Sequence, residues 1–285
     1  MTHFPHGAYR RRIRLVLTEG GGFDADDDGG VVEGGLEDDF HYFKVRLTHD
    51  RSVVTDVSAR AIRWPWTTCP DAVDPLRSLT GMELSPRCLA VGDAADPKMH
   101  CTHMFDLAGL CVAHAARGGP VGTTRQYDVE IPHLAQGREP AVVRVWRDHE
   151  LVHQWTLDGR SCVHPSPFDE APWKGGFFRW AERTLHLDDA EAAIVLRRAC
   201  DIGMGRGMDL DAVDRADEME RLMAGVCFTM QPSQIRVALR HKETVRDFHD
   251  RLDAMLADGP APGDPGSGDR RSGDPGSGDP GSAGS

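Results

Sequence analysis

The 285-residue sequence predicts an α+β fold, an antiparallel sheet packed on helices. Three observations predict it. Phe40 to Leu47 and Ser52 to Ile62 alternate in polarity around the turn His49-Asp50-Arg51, as an antiparallel hairpin does. After Met99-His100-Cys101-Thr102-His103, the residues Leu107, Leu110, Cys111 and His114 recur at the spacing of one helix face. Three further short strands and then a helical C-terminal region complete the order of a segregated sheet and helices.

In chain order, residues 1–35 read as a loosely ordered segment, with one strand over Arg10 to Leu17. Gly20 to Gly35 reads as an acidic, glycine-rich loop holding Asp24, Asp26, Asp27 and Asp28, and its spacing is not that of an EF-hand. Residues 36–258 read as a single domain. In the hairpin, Phe43, Val45 and Leu47 face one side while Lys44 and Arg46 face the other. Trp64-Pro65-Trp66-Thr67-Thr68-Cys69-Pro70 breaks the second strand as a rigid turn. Asp71 to Leu79 reads as a short helix. Thr102 is the expected N-cap of the helix ending at Gly118-Gly119-Pro120. Tyr127 to Leu134, Ala141 to Arg147 and Leu151 to Leu157 read as strands that extend the first sheet. Val163 to Trp180 reads as an aromatic loop. A helix capped by Asp188 or Asp189 runs through Cys200, with Ala192, Val195, Leu196 and Ala199 on its buried face. Two more helices are expected over 209–226 and 232–257. The Gly-Asp-Pro-Gly-Ser repeats of 259–285 read as a disordered tail.

Composition narrows the function classes. A net charge of −12 argues against nucleic-acid binding and against an anionic membrane surface. No apolar run reaches the length of a membrane span. Met1 to Arg14 has no apolar core of a secretory signal. Seven cysteines, an odd number spread thinly, fit a reducing, cytoplasmic setting better than a disulfide framework.

The chemistry concentrates at the start of the 103–117 helix. A helix N-terminus favours negative charge, so Cys101 is an expected thiolate. His41, Cys69, Cys101 and His103 together supply a Cys2His2 set suited to zinc or iron. Asp71 and His100 are the expected acid–base residues. Cys88, Cys111, Cys162, Cys200 and Cys227 are assigned to packing, and Asp38 and Asp39 to surface charge on an acidic loop. Trp64, Trp66, Trp173 and Trp180 line either a substrate pocket or the core.

The segments Asp39-Phe40-His41-Tyr42-Phe43, Arg63 to Pro70 and Cys101-Thr102-His103-Met104-Phe105-Asp106-Leu107 resemble a bacterial family catalogued as domain of unknown function 2889 (DUF2889). The resemblance runs from about residue 36 to residue 245 and implies no activity. Residues 36–118 are also similar to iron–sulfur assembly scaffolds of the NifU and IscU type. That resemblance implies an IscU-like N-terminal part in which Cys69 and the His100-Cys101 pair bind zinc or a nascent cluster. The place of the scaffold's first cysteine holds Asp38, Asp39, Phe40 and His41, so imidazole or carboxylate stands in for a thiolate there.

Two functions are expected from this pattern. One is a metal-dependent hydrolase or lyase acting on a small organic substrate, with 163–180 covering it. The other is a metal or iron–sulfur carrier without catalysis. A third arrangement has no metal, with the cysteines packed in the core.

Overall fold

The computed structural model describes residues 6–20, 29–132, 140–159 and 161–257. The strands are β1 (Ala8–Gly20), β2 (Gly30–Asp38), β3 (Tyr42–His49), β4 (Val54–Arg63), β5 (Thr124–Pro132), β6 (Ala141–Arg147), β7 (Glu150–Asp158) and β8 (Ser161–His164). The helices are α1 (Val91–Ala94), α2 (Thr102–Arg117), α3 (Phe177–Thr184), α4 (Leu187–Gly203) and α5 (Glu220–Met223). All eight strands form one antiparallel sheet in the order β4-β3-β2-β1-β5-β6-β7-β8. The first strand therefore lies mid-sheet, and β5 joins it there.

The chain uses one plan twice. A four-stranded meander is followed by a long helix, first as β1–β4 with α2 and then as β5–β8 with α4. Helix α2 packs on β1 to β3, and α4 packs on β5 to β7. Both cover the same face, because Asp106 of α2 binds Arg198 of α4 at 2.6 Å and Arg117 of α2 binds Glu191 of α4 at 2.9 Å.

Strand alternation explains which side chains enter the core. Tyr9, Arg11, Ile13, Leu15 and Leu17 of β1 are buried, and the residues between them are half-buried. On β3 the expected split holds: Phe43, Val45 and Leu47 are buried, and Lys44 and Arg46 are not. Each such apolar side chain contributes about 1.5–3 kcal/mol of burial. The other face of the sheet carries cross-strand ion pairs, with Arg10 on Glu130 at 2.5 Å and Arg12 on Asp128 at 2.6 Å.

Several elements differ from the sequence reading. Gly30 to Asp38 is a paired strand and not the end of an acidic loop, whereas Asp24, Asp26, Asp27 and Asp28 lie outside the described residues. Gly34 permits close approach of helix to sheet, since a Cβ there would sit 2.6 Å from Cys111 Sγ. Cys69–Leu79 is a 3-10 helix, with Pro70 at its start and Pro75 inside it. Cys101 and not Thr102 is the N-cap of α2. Helix α4 begins after His186. Beyond α4 the two long helices are replaced by short 3-10 turns and the four-residue α5. Residues 259–285 lie outside the described residues.

Candidate metal centre

The β2–β3 turn and the first turn of α2 meet at Asp38, His41 and His103. Their donor atoms lie within 4.8 Å of one another, the one such group of three among the described residues. Asp38 ends β2 and is fully buried. Its Oδ1 accepts the backbone N–H groups of Phe40 and His41, each at 2.8 Å, which forces the tight turn. The same oxygen lies 3.0 Å from His41 Nδ1. Its Oδ2 accepts the Tyr9 hydroxyl at 2.7 Å and Arg11 Nη2 at 2.7 Å. Burial pushes the carboxyl up, but the His41 imidazole and the Arg11 guanidinium beside it hold it well below its usual range.

The two imidazoles stack with centroids 3.8 Å apart and planes at 30°. Burial lowers the pKa of both, and for His103 the neighbouring His41 and Arg11 lower it further. A neutral imidazole keeps a lone pair for a metal. His103 Nε2 is buried, makes no hydrogen bond, and lies 3.8 Å from Asp38 Oδ2. Such an atom costs about 1–3 kcal/mol in desolvation unless something binds it.

Arg63, at the end of β4, fixes the turn from outside. Its Nη1 donates to the carbonyls of Asp39 and Thr244, each at 3.0 Å. Its Nη2 donates to Asp38 O at 2.6 Å and His41 O at 3.2 Å. Asp39 is also fully buried, with Arg206 Nη1 on its Oδ2 at 2.5 Å. Burial pushes its carboxyl up to about 7 against the pull of that guanidinium. Neither aspartate is the surface charge expected of an acidic loop.

Asp38 spends its oxygens on protein donors and orients His41, and the imidazoles of His41 and His103 beside it could hold a metal ion. A carboxylate holding a ligand histidine through its other nitrogen is a common second layer of metal sites. The second half lacks this chemistry. There Tyr127 and Arg125 converge on Glu191, at 2.5 and 3.2 Å, and no second group of three metal-ligating donors forms among the described residues.

The other expected residues lie elsewhere. Cys69 is buried at the start of its 3-10 helix, with Sγ 3.6 Å from Thr229 Oγ1, and burial pushes its thiol up to about 12. Cys101 is buried at the N-cap, and burial raises its pKa too. The helix N-terminus does not make it a thiolate, because desolvation outweighs the partial charge. Neither thiol belongs to the Asp38 group. His100 is buried with both nitrogens engaged: Nδ1 is 2.8 Å from Asp96 O and Nε2 is 3.1 Å from Pro75 O. Asp71 is exposed. The loop aromatics Phe168, Trp173 and Phe177 pack on Trp155 of β7, and so fill the core of the second half. Asp38 was hidden in Glu37-Asp38-Asp39, an acidic run whose buried partners Tyr9 and Arg11 are on another strand. Its signal was local: three acidic residues between Leu36 and Phe40, both buried.

No helix among the described residues is long and apolar enough to cross a membrane. No curated protein matches the chain. Residues 24–117, a span that holds Asp38, His41, Cys69, Cys101 and His103, match the family described as Protein of unknown function (DUF2889).

Proposed function

We propose that this chain is a metal-dependent hydrolase or lyase for a small organic substrate, with zinc or iron held by His41 and His103 and oriented by Asp38. The observation that carries the reading is His103 Nε2, a buried nitrogen without a hydrogen-bond partner beside a neutral imidazole and a carboxylate. Two imidazoles leave coordination positions open, where a metal supplies an activated water or polarises a substrate oxygen. Arg11, hydrogen-bonded to Asp38, keeps that carboxylate ionised and turned toward His41. The seven free thiols are consistent with a reducing, cytoplasmic setting.

Metal analysis of protein purified without a histidine tag tests this reading. Near-stoichiometric zinc or iron in the parent, and loss of it in His103→Ala, supports it. Less than about a tenth of an equivalent in the parent ends it.

A second reading is a metal or iron–sulfur carrier. It needs no substrate cleft at the imidazole pair, and the cleft of about 580 Å³ between Arg87, Trp173 and Arg198 is lined by none of Asp38, His41 and His103. Anaerobic loading with iron and sulfide separates the two. A cluster absorbance band supports the carrier, and hydrolysis of ester substrates by the zinc-loaded protein without such a band supports the enzyme.

A further inference from the structure

We propose that the cleft between α3, α4 and the chain around Arg87 is a binding site for a small phosphomonoester with an aromatic body. The cleft has a volume of about 580 Å³, room for a small organic ligand. Two cations in it are unpaired. Lys174 and Arg179 line the cleft and are exposed, and neither has an ion-pair partner among the described residues. The other arginines of the lining are neutralised: Arg87 by Glu182 at 2.7 Å, Arg197 by Asp201 at 2.6 Å and Arg198 by Asp106 at 2.6 Å. Asp93 is also taken, 3.5 Å from Arg87. In a chain of net charge −12, two positive charges are thus left open in one cleft, which suits a dianion.

The helix start between those two side chains favours the same ligand. Helices ordinarily begin on a polar cap with acids in the first turn. Helix α3 begins on Gly176, with φ 87° and no side-chain cap, and its first turn holds Arg179 and no acid. A cation is unfavourable there, beside N–H groups that have no acceptor within the helix. Gly175 and Gly176 both line the cleft, and a Cβ at Gly175 would meet nothing within 4 Å. The cleft therefore reaches a bare helix start, the arrangement that holds a phosphate. Local rules broken together in this way mark a functional site.

The rest of the cleft supplies planar surface. Phe178 carries the Arg198 guanidinium over its ring at 4.6 Å, and Trp173 carries that of Arg197 at 4.5 Å. Arg197 is buried, and its Nη2 donates to Trp173 O at 2.9 Å, which holds the loop that presents Lys174. Ring faces and guanidinium planes next to a phosphate position take an aromatic body. The cleft shares no residue with the imidazole pair, and either site can fail without the other.

The test is titration calorimetry of the chelator-treated full chain with 1-naphthyl phosphate, and with inorganic phosphate and 1-naphthol as its two halves. The expected result is one saturable site for the ester with a Kd of about 1 mM or tighter, and each half bound at least about tenfold more weakly. Lys174→Glu and Arg179→Glu should each weaken the ester at least about tenfold. Arg221→Glu, the same charge change outside the cleft lining, should stay within about twofold of the parent. Arg179→Glu also places an acid in the first turn of α3, so its thermal midpoint should be no lower than the parent's, which a merely structural role for Arg179 would not give. No saturable binding of the ester to the parent, a half that binds as tightly as the ester, or undiminished binding in either Glu variant of the cleft overturns the proposal.

Discussion

His41 and His103 lie ring on ring, 3.8 Å between centroids, although one belongs to a hairpin turn and the other to a helix. No hydrogen bond joins them, and burial keeps both neutral. The stack brings two lone pairs together at a place where two protonated rings would repel.

The first prediction concerns pH. In the folded chain His103 resists protonation, whereas in the unfolded chain it takes up a proton near pH 6.5. The unfolded state binds more protons below that pH, so this residue lowers stability as pH falls from 6.5, by at most about 1.4 kcal/mol per pH unit. His103→Phe is expected to lose that part of the slope. Asp39 acts in the opposite sense between about 4 and 7, so the measured quantity is the difference between parent and variant in urea midpoints at pH 7 and pH 5.

Asp38 and Arg11 form a buried pair, with side chains 0% and 2% exposed. Asp38→Asn removes one charge and strands the other, at an expected cost of about 3–5 kcal/mol. Asp38→Asn with Arg11→Met is expected to recover more than half of that loss. Denaturant unfolding of the two variants decides it, and equal stability of the single and double variants would contradict it.

Arg63 holds four backbone carbonyls around the turn. Lysine cannot reproduce a planar fork. Arg63→Lys should cost about 2 kcal/mol and weaken zinc binding at His41 and His103 about tenfold, read by calorimetric unfolding and by metal titration.

Trp155 is fully buried among Phe168, Trp173 and Phe177. Trp155→Ala should cost about 3–5 kcal/mol. Zinc affinity of the folded fraction should stay within about twofold of the parent, because distant sites are usually independent.

Gly34→Ala probes the contact of sheet and helix. Its Cβ would meet Cys111 Sγ at 2.6 Å and Leu107 Cδ1 at 3.0 Å. An expected loss of about 1–3 kcal/mol should be partly relieved by Cys111→Ala in the same chain, as a double-mutant cycle would show.

Much of the sheet was legible because half-buried strands write their alternation into the sequence, as Phe43, Val45 and Leu47 do. Strand β2 was not, because its glycines are chosen by what lies above them. Cys111 stands over Gly34 and Leu256 over Gly35, so the residues that make a tight helix contact look like loop composition. The C-terminal region misled in the other direction. Its apolar spacing suits helices, but its backbone groups are claimed from afar: Leu239 O by Thr67 N, and Arg246 N by Asp39 O. At the site, the histidines were visible as residue types. The acidic run around Asp38 was visible too, but its role was not, since that depends on Tyr9 and Arg11 crossing from β1.

The central place of β1 bears on how the chain is made. As synthesis proceeds, β1 can pair with β2 at once, but its other edge waits until Thr124–Pro132 leaves the ribosome. An open strand edge invites pairing with other nascent chains. That edge carries Arg10, Arg12 and Arg14, three like charges that repel a second copy of itself. Glu130 and Asp128 arrive with the proper partner and neutralise Arg10 and Arg12. The basic start of the sequence thus guards the seam of the sheet until its own second half is there to close it.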